Sequence, residues 1–162
     1  MHRGAVDDIA ALLVRAPQDT KLVLDVGSQD INGSYRELVE GRGWRYVGLD
    51  IQEGKNVDVV AVPYHYPFTD GAFDVVISGS TAEHVAHPWL WFPELARILK
   101  PGGLLAVLTC HSFPEHRYPV DCWRFMEDGL RVLFDLTGVL EAYEFRYVSV
   151  EHIVGSALRC SI

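Results

Sequence analysis

One local pattern constrains this chain more than any other. It is the stretch Lys21-Leu-Val-Leu-Asp-Val-Gly-Ser-Gln-Asp-Ile-Asn-Gly-Ser-Tyr35. Leu22, Val23, Leu24 and Val26 give a short apolar run suited to a strand covered on both faces. Gly27 can take a backbone conformation closed to other residues, and it lets a ligand approach the main chain. Asn32, Gly33 and Ser34 offer helix-start chemistry before Tyr35-Arg-Glu-Leu-Val39. A turn of this kind is expected to leave free backbone N–H groups at the carboxyl edge of a sheet, where cofactors bind. The segment Arg45-Tyr-Val-Gly-Leu-Asp50 then reads as a second strand ending in an acid. A ribose-holding carboxylate falls at this distance, about twenty residues on, in a nucleotide-binding βαβ unit. The pattern is not a dinucleotide fingerprint, because Gln29 stands where a second glycine would fall. An ordinary βαβ turn with no nucleotide reads the same way locally, so the later segments decide.

Those segments alternate. Val6 to Arg15 is apolar at helical spacing and stops before Pro17, giving a leading helix. Strands are expected at Leu22–Val26, Tyr46–Leu49, Val57–Ala61, Phe73–Ser78 and Leu104–Thr109. A helix should cover Leu90 to Leu99, beginning near Trp91 so that Pro93 falls in its first turn, with Pro101-Gly102-Gly103 stopping it. A long polar and aromatic loop, Cys110 to Phe125, precedes a helix over Met126–Leu136. Strand signals close the chain at Leu140–Val148 and Ile153–Leu158. Strands alternating with helices predict an α/β fold, Rossmann-like and doubly wound, with helices on both faces of a mostly parallel seven-stranded sheet. Two successive strands at the end predict an antiparallel hairpin on one edge.

Composition excludes several classes. The 162 residues fit one domain spanning 1–162, and a hydrophobic content of 49% is too high for a disordered chain. No apolar run approaches a membrane span. The start, Met1-His-Arg-Gly-Ala-Val-Asp-Asp, does not read as a signal peptide. The three cysteines, Cys110, Cys122 and Cys160, have no paired spacing. Free thiols and a cytoplasmic location are therefore expected. The net charge of −8 argues against nucleic acid as a partner. No metal site is expected from spacing, because His111 and His116 are loop residues with no cysteine pair to support them.

Taken together, the motifs resemble the class I S-adenosylmethionine (SAM)-dependent methyltransferases over nearly the whole chain. Leu24-Asp-Val-Gly-Ser28 is similar to the family's first motif and Val47-Gly-Leu-Asp50 to its second. Tyr66 to Ile77 resembles the stretch leading into the fourth strand. Glu83-His84-Val85 and Leu99-Lys-Pro-Gly-Gly-Leu104 resemble the small-molecule branch. Pro114 to Phe125 is similar to a bacterial subgroup of uncharacterised members. The resemblance implies SAM as cofactor. Asp25 and Gly27, with Ser28 and Gln29 completing the loop, would line its methionine end. Asp50 would accept hydrogen bonds from the ribose hydroxyls, and Ile51 would pack on the adenine. Ser78 and Gly79 would approach the sulfonium. Val62 stands where the family often has an aspartate for the adenine amino group. A backbone carbonyl near Pro63 or Tyr64 would then substitute, or affinity would fall.

Methyl transfer from a sulfonium depends mostly on placing the acceptor nucleophile. A hydroxyl acceptor also needs a base. The loop after the fifth strand should overhang the methyl group, and His116 with Asp121 is the lead pair, a carboxylate orienting an imidazole. The alternative is that Asp121 caps the next helix or pairs with Arg117 or Arg124. His84 is a second candidate base, with a structural role as its alternative. Trp89, Trp91 and Phe92 are expected in an acceptor pocket or in helix packing. The expected function is methyl transfer from SAM to a small hydroxylated acceptor, a sugar or metabolite, at a site left open or completed by a second subunit in a homodimer. The competing reading is a non-catalytic or weakly binding module, motivated by Gln29 and Val62. A short dehydrogenase ranks last, since the glycine triplet and a Tyr-x-x-x-Lys pair are missing.

Overall fold

The computed structural model describes residues 3–31 and 33–161. Asn32, part of the expected helix start, lies outside them. The elements run α1 (Arg3–Leu12), β1 (Leu22–Val26), α2 (Arg36–Glu40), β2 (Arg45–Asp50), β3 (Val59–Val60), β4 (Phe73–Gly79), α3 (Pro88–Ile98), β5 (Leu99–Cys110), α4 (Glu127–Asp135), β6 (Leu140–Tyr147) and β7 (His152–Arg159). The sheet has seven strands in the order β3-β2-β1-β4-β5-β7-β6. β1 to β5 are parallel, and β7 is antiparallel to both β5 and β6. The predicted parallel sheet with an edge hairpin is therefore present.

Alternation along the strands explains the double cover. Val23, Val75, Ile77, Leu104, Ala106 and Leu108 face α1 and α2, packing with Ile9, Leu12 and Val39. Leu24, Val26, Val76, Leu105 and Val107 face the other way, against Trp91, Phe92, Leu95 and Ile98 of α3 and Leu130 and Phe134 of α4. Successive side chains of a strand point to opposite faces, so a continuous apolar run supplies both cores at once.

Three boundaries differ from expectation for identifiable reasons. α3 begins at Pro88, whose missing N–H is harmless at the first helical position. Pro93 therefore lies in the second turn rather than the first. The Pro-Gly-Gly segment does not stop this helix. It forms a bulge inside β5, where Leu99 already pairs with Phe73 and the register shifts before Val75. A Cβ on Gly103 would come within 2.8 Å of the backbone oxygens of Asp74 and Lys100, so the bulge requires glycine there. The third strand is only Val59–Val60, because the chain meets β2 at the sheet edge for just two pairs.

The order places β2 and β4 on opposite sides of β1, so the chain winds in both directions from that strand. A crevice opens beyond the carboxyl ends of β1 and β4, the place where open α/β sheets hold ligands. No helix among the described residues is long and apolar enough to cross a membrane.

Candidate active site

A cavity of about 1000 Å³ occupies this crevice. Its cofactor end is lined by Asp25, Gly27, Ser28, Gln29, Asp50, Ile51, Pro63 and Gly79. Eight of the ten expected cofactor residues thus share one wall. The other two do not. Ser78 is fully buried and donates its hydroxyl to the Val26 carbonyl at 2.8 Å, tying β4 to β1. Val62 is 71% exposed and lies outside the cavity. Its neighbour Ala61 packs on the core instead. Tyr64 lines the cavity beside Pro63, while His65 is exposed outside it.

The turn after β1 is built differently from expectation. Its N–H groups are not free. Gly27 and Ser28 both donate to the Leu49 carbonyl, at 2.8 and 3.0 Å, and Gln29 donates to Asp50 Oδ2 at 3.0 Å. The turn folds back onto β2 instead of opening into a helix. Gly27 sits at φ +81°, and an added Cβ would lie 2.0 Å from Thr81 Oγ1. Glycine is needed here both for the left-handed backbone and for the close approach of Thr81. Asp50 uses Oδ1 to accept the Ile51 N–H at 2.7 Å. Each carboxylate oxygen accepts more than one hydrogen bond. Asp50 thus braces the turn and keeps acceptor capacity toward the cavity.

Asp25 carries the chemistry of this end. It is 2% exposed, and its Oδ1 is buried without a hydrogen-bond partner. Its Oδ2 accepts from the Tyr46 hydroxyl. Tyr46 in turn accepts from Asn56 Nδ2 at 2.7 Å, and Arg36 lies 4.3 Å over the Tyr46 ring. Burial pushes the Asp25 carboxyl up to about 7, partly offset by the Tyr46 hydrogen bond. An unpartnered buried carboxylate oxygen is unfavourable unless a donor arrives, and Asp25 borders the cavity. The α-ammonium of a methionine moiety is such a donor, and the Asp50 carboxylate suits a ribose diol. The residues present fit SAM.

The acceptor end is made of loops. β4 leads into a 3-10 turn, Ala82–His84. The Cys110–Phe125 segment lies across that turn. The Cys122 and Trp123 N–H groups donate to the Glu83 carbonyl at 2.8 and 3.1 Å, and Trp123 Nε1 donates to Val85 O at 2.9 Å. Glu83, His84, Phe113, His116 and Tyr118 line the cavity here, with Ser149 and Glu151 from the β6–β7 turn and His152 at the start of β7. His84 Nδ1 is 2.6 Å from the Val120 carbonyl, and His116 Nδ1 is 3.1 Å from the Pro114 carbonyl. A carbonyl only accepts, so each Nδ1 is assigned as the donor, which in the neutral ring leaves Nε2 as the acceptor nitrogen.

The expected His116–Asp121 dyad is rearranged. Asp121 does not line the cavity. It forms a two-pronged ion pair with Arg124, at 2.6 and 2.8 Å, and accepts the His116 backbone N–H at 2.6 Å. Its contact with His116 Nδ1 is longer, 3.4 Å. The Arg124 guanidinium holds the Asp121 carboxyl well below the usual carboxylate range. Arg124 also reaches the Phe113 and Pro114 carbonyls, so the pair shapes the loop that carries His116. Asp121 does not cap α4, whose preceding residue is Met126 with no side-chain cap.

The aromatic candidates divide. Phe92 is core. Trp91 is buried, lines the cavity and donates to the Tyr66 hydroxyl at 2.7 Å. Trp89 is exposed and stands edge-on to Trp123. Glu83 was missed because an acid in a loop is normally solvated. Here it is 1% exposed and accepts from Thr109 Oγ1 at 2.7 Å. Its place beside His84 was the only signal. The expectation of no metal centre rested on spacing, yet the fold brings one ligand atom each from Glu83, His84 and His116 within 4.8 Å of one another. His111 stands apart, against Tyr147.

Comparison with known proteins agrees with this architecture. Residues 24–107, just over half of the chain, match the family described as Methyltransferase domain. An uncharacterised methyltransferase of Mycobacterium leprae is 34% identical over 104 residues, covering 57% of this chain and 38% of that protein. The 2-methyl-6-phytyl-1,4-hydroquinone methyltransferase of Synechocystis is 32% identical over 114 residues, covering 62% of this chain and 36% of that one. The chain spans less than half the length of these curated relatives. A SAM dependent methyltransferase from Archaeoglobus fulgidus has the same fold, with a TM-score of 0.73, 16% identity, and coverage of 97% of this chain and 96% of that one. The chain belongs to the methyltransferase domain family, among the class I SAM-dependent methyltransferases. Its cofactor is SAM.

Proposed function

We propose that this chain transfers the methyl group of SAM to a hydroxyl of a small acceptor, a sugar or other metabolite. One observation carries the reading: the cavity is continuous from Asp25 and Asp50 to the imidazoles of His84 and His116. The cofactor's ends and the acceptor's nucleophile can therefore share one cleft. The methyl carbon bonds to the acceptor oxygen as its bond to sulfur breaks. Sulfur keeps that electron pair and becomes a neutral thioether. The hydroxyl proton passes to an imidazole Nε2 at the acceptor end, His116 or His84. Alignment of oxygen, methyl and sulfur supplies most of the rate. Asp121 acts as a positioning residue for His116, through Arg124 and the loop backbone. Phe113, Tyr118 and Trp91 give the acceptor apolar walls.

Two measurements test this reading. Calorimetry should show SAM and S-adenosylhomocysteine binding at one site, with no NAD binding. Methyl-labelled SAM offered with a panel of hydroxylated metabolites should then label an oxygen in a product. Binding with no transfer to any acceptor would favour the non-catalytic module. NAD binding in place of SAM would overturn the proposal.

A further inference from the structure

The acceptor end contains a carboxylate that methyl transfer to a hydroxyl does not by itself require. Glu83 is almost wholly buried, and it has no ion-pair partner among the described residues. Its protein donors are the Thr109 hydroxyl and the Cys110 thiol, both neutral, and the Arg124 charge acts on it without forming an ion pair. Buried carboxylates without a cation are rare because desolvation is so unfavourable. Glu83 faces the cavity, and so do the two imidazoles beside it.

Those imidazoles are held as ligands are held. His84 donates Nδ1–H to the Val120 carbonyl, and His116 donates Nδ1–H to the Pro114 carbonyl. Backbone carbonyls on Nδ1 fix the tautomer, orient the ring and raise the basicity of the opposite nitrogen, as is usual for metal-bound histidines. The two rings stand edge to face, with centroids 4.9 Å apart. The scaffold is fixed as well. The turn carrying Glu83 and His84 is stitched to the His116 loop through the Glu83 carbonyl.

We infer that Glu83, His84 and His116 form a site for a divalent transition metal at the acceptor end of the cavity. One carboxylate and two neutral imidazoles suit zinc, iron, cobalt or nickel better than magnesium. The three ligand atoms lie within 4.8 Å of one another, and bonds of about 2.0–2.2 Å draw them together by about 1 Å. The backbone is stitched, so this movement falls to side-chain torsions, chiefly those of the partly exposed His116. Three protein ligands leave at least one position open, and it faces the cavity. With the metal in place both imidazole Nε2 atoms are its ligands. An acceptor hydroxyl filling the open position would be ionised by the cation and lose its proton to solvent, in place of the imidazole base of the metal-free chain. This deepens the proposed function and rests on that reading for the acceptor's role. The metal site itself rests on the residues alone.

The test uses the tag-free chain after stripping with a chelator. Zn²⁺ and Co²⁺ are titrated separately by calorimetry, with Mg²⁺ for comparison. One metal per chain is expected for Zn²⁺ and Co²⁺, with Mg²⁺ much weaker. Bound Co²⁺ should show visible ligand-field bands of low coordination number. Glu83→Gln and His116→Ala should each weaken binding by about two decades. His111→Ala should leave it unchanged. If Glu83→Gln fails to fold, His116→Ala still decides, since its side chain is partly exposed on a loop. Absence of a one-to-one site, or equal affinity in His116→Ala and wild type, overturns the inference. S-adenosylhomocysteine binding is measured in parallel. Its loss with the metal site intact counts against the methyltransferase reading instead.

Discussion

The two ends of the cavity are made from different material. At the cofactor end the walls are strand termini: Asp25 in β1 and Gly27 just beyond it, Asp50 at the end of β2 and Ile51 beyond it, and Gly79 at the end of β4. These positions are set by the sheet register, which pairs Asp25 with both Gly48 and Ile77. At the acceptor end the walls are a 3-10 turn, a long loop and a hairpin turn, held by side-chain and cross-loop hydrogen bonds. A rigid end and an assembled end should respond differently to mutation. Changes at the first should alter cofactor affinity, and changes at the second should alter acceptor turnover or loop stability with cofactor affinity intact.

The largest expected effect tests the rigid end. Asp25→Asn should weaken S-adenosylhomocysteine binding by about two decades, as a charge-assisted hydrogen bond to the ammonium is lost. Stability of the unliganded chain should move the other way. The Asp25 pKa is raised from 3.8 to about 7 in the fold, so the folded state binds the extra proton between these values. Stability therefore falls as pH rises from about 4 to about 7, and the asparagine removes that loss. Melting temperatures should match near pH 4 and favour Asp25→Asn at pH 8. In the wild type, ligand affinity should rise with pH up to about 7, by up to tenfold per unit. A pH-independent affinity would break the ammonium assignment.

Asp50→Ala comes next. It removes the expected ribose acceptor and the brace on the Gln29 N–H together, so affinity should fall by about one to two decades. Unchanged affinity in a folded variant, measured by calorimetry, would move the ribose elsewhere. Arg124→Ala probes the assembled end. It strips the partner from the Asp121 carboxylate and releases the Phe113 and Pro114 carbonyls. A stability loss of about 1–2 kcal/mol in urea unfolding is expected, discounted for the partial exposure of Arg124. Cofactor affinity should stay near wild type while labelled-methyl turnover drops. Equal losses in both would mean that the two ends are one cooperative unit. The smallest effect belongs to Val62→Asp. Val62 is exposed outside the cavity, so stability and affinity should stay within about 0.5 kcal/mol of wild type. A tenfold change in affinity would show that the loop after β3 folds over the adenine.

The same contrast explains what the sequence disclosed. Strands β1, β2, β4 and β5 are legible because each is a compact apolar run, and a residue at a strand's end inherits its place from the strand. Asp25, Asp50 and Gly79 reach the cavity wall in this way. The acceptor end has no such local code. Asp121 could be an orienting carboxylate or the partner of Arg124, and only the loop path decides between them. Glu83 meets His116 across the fold, so no spacing rule brings them together. Val62 failed for a smaller reason. With only two residue pairs joining β3 to β2, the pattern cannot say which side chain beyond the strand turns inward. The Pro-Gly-Gly bulge failed because the same residues that end helices also permit a kink within a strand.

The β6–β7 hairpin bears on how such a domain can diversify. Its turn lends Ser149 and Glu151 to the acceptor end, with His152 at the start of β7, and the Glu151 carbonyl receives the His111 and Ser112 N–H groups. Yet β6 touches the rest of the sheet only through β7, at the far edge from β1 and β2. Insertions or exchanges in this turn can reshape that end of the cavity without disturbing the pairing of β1, β2 and β4. The fold thus separates a half set by strand register from a half set by loops.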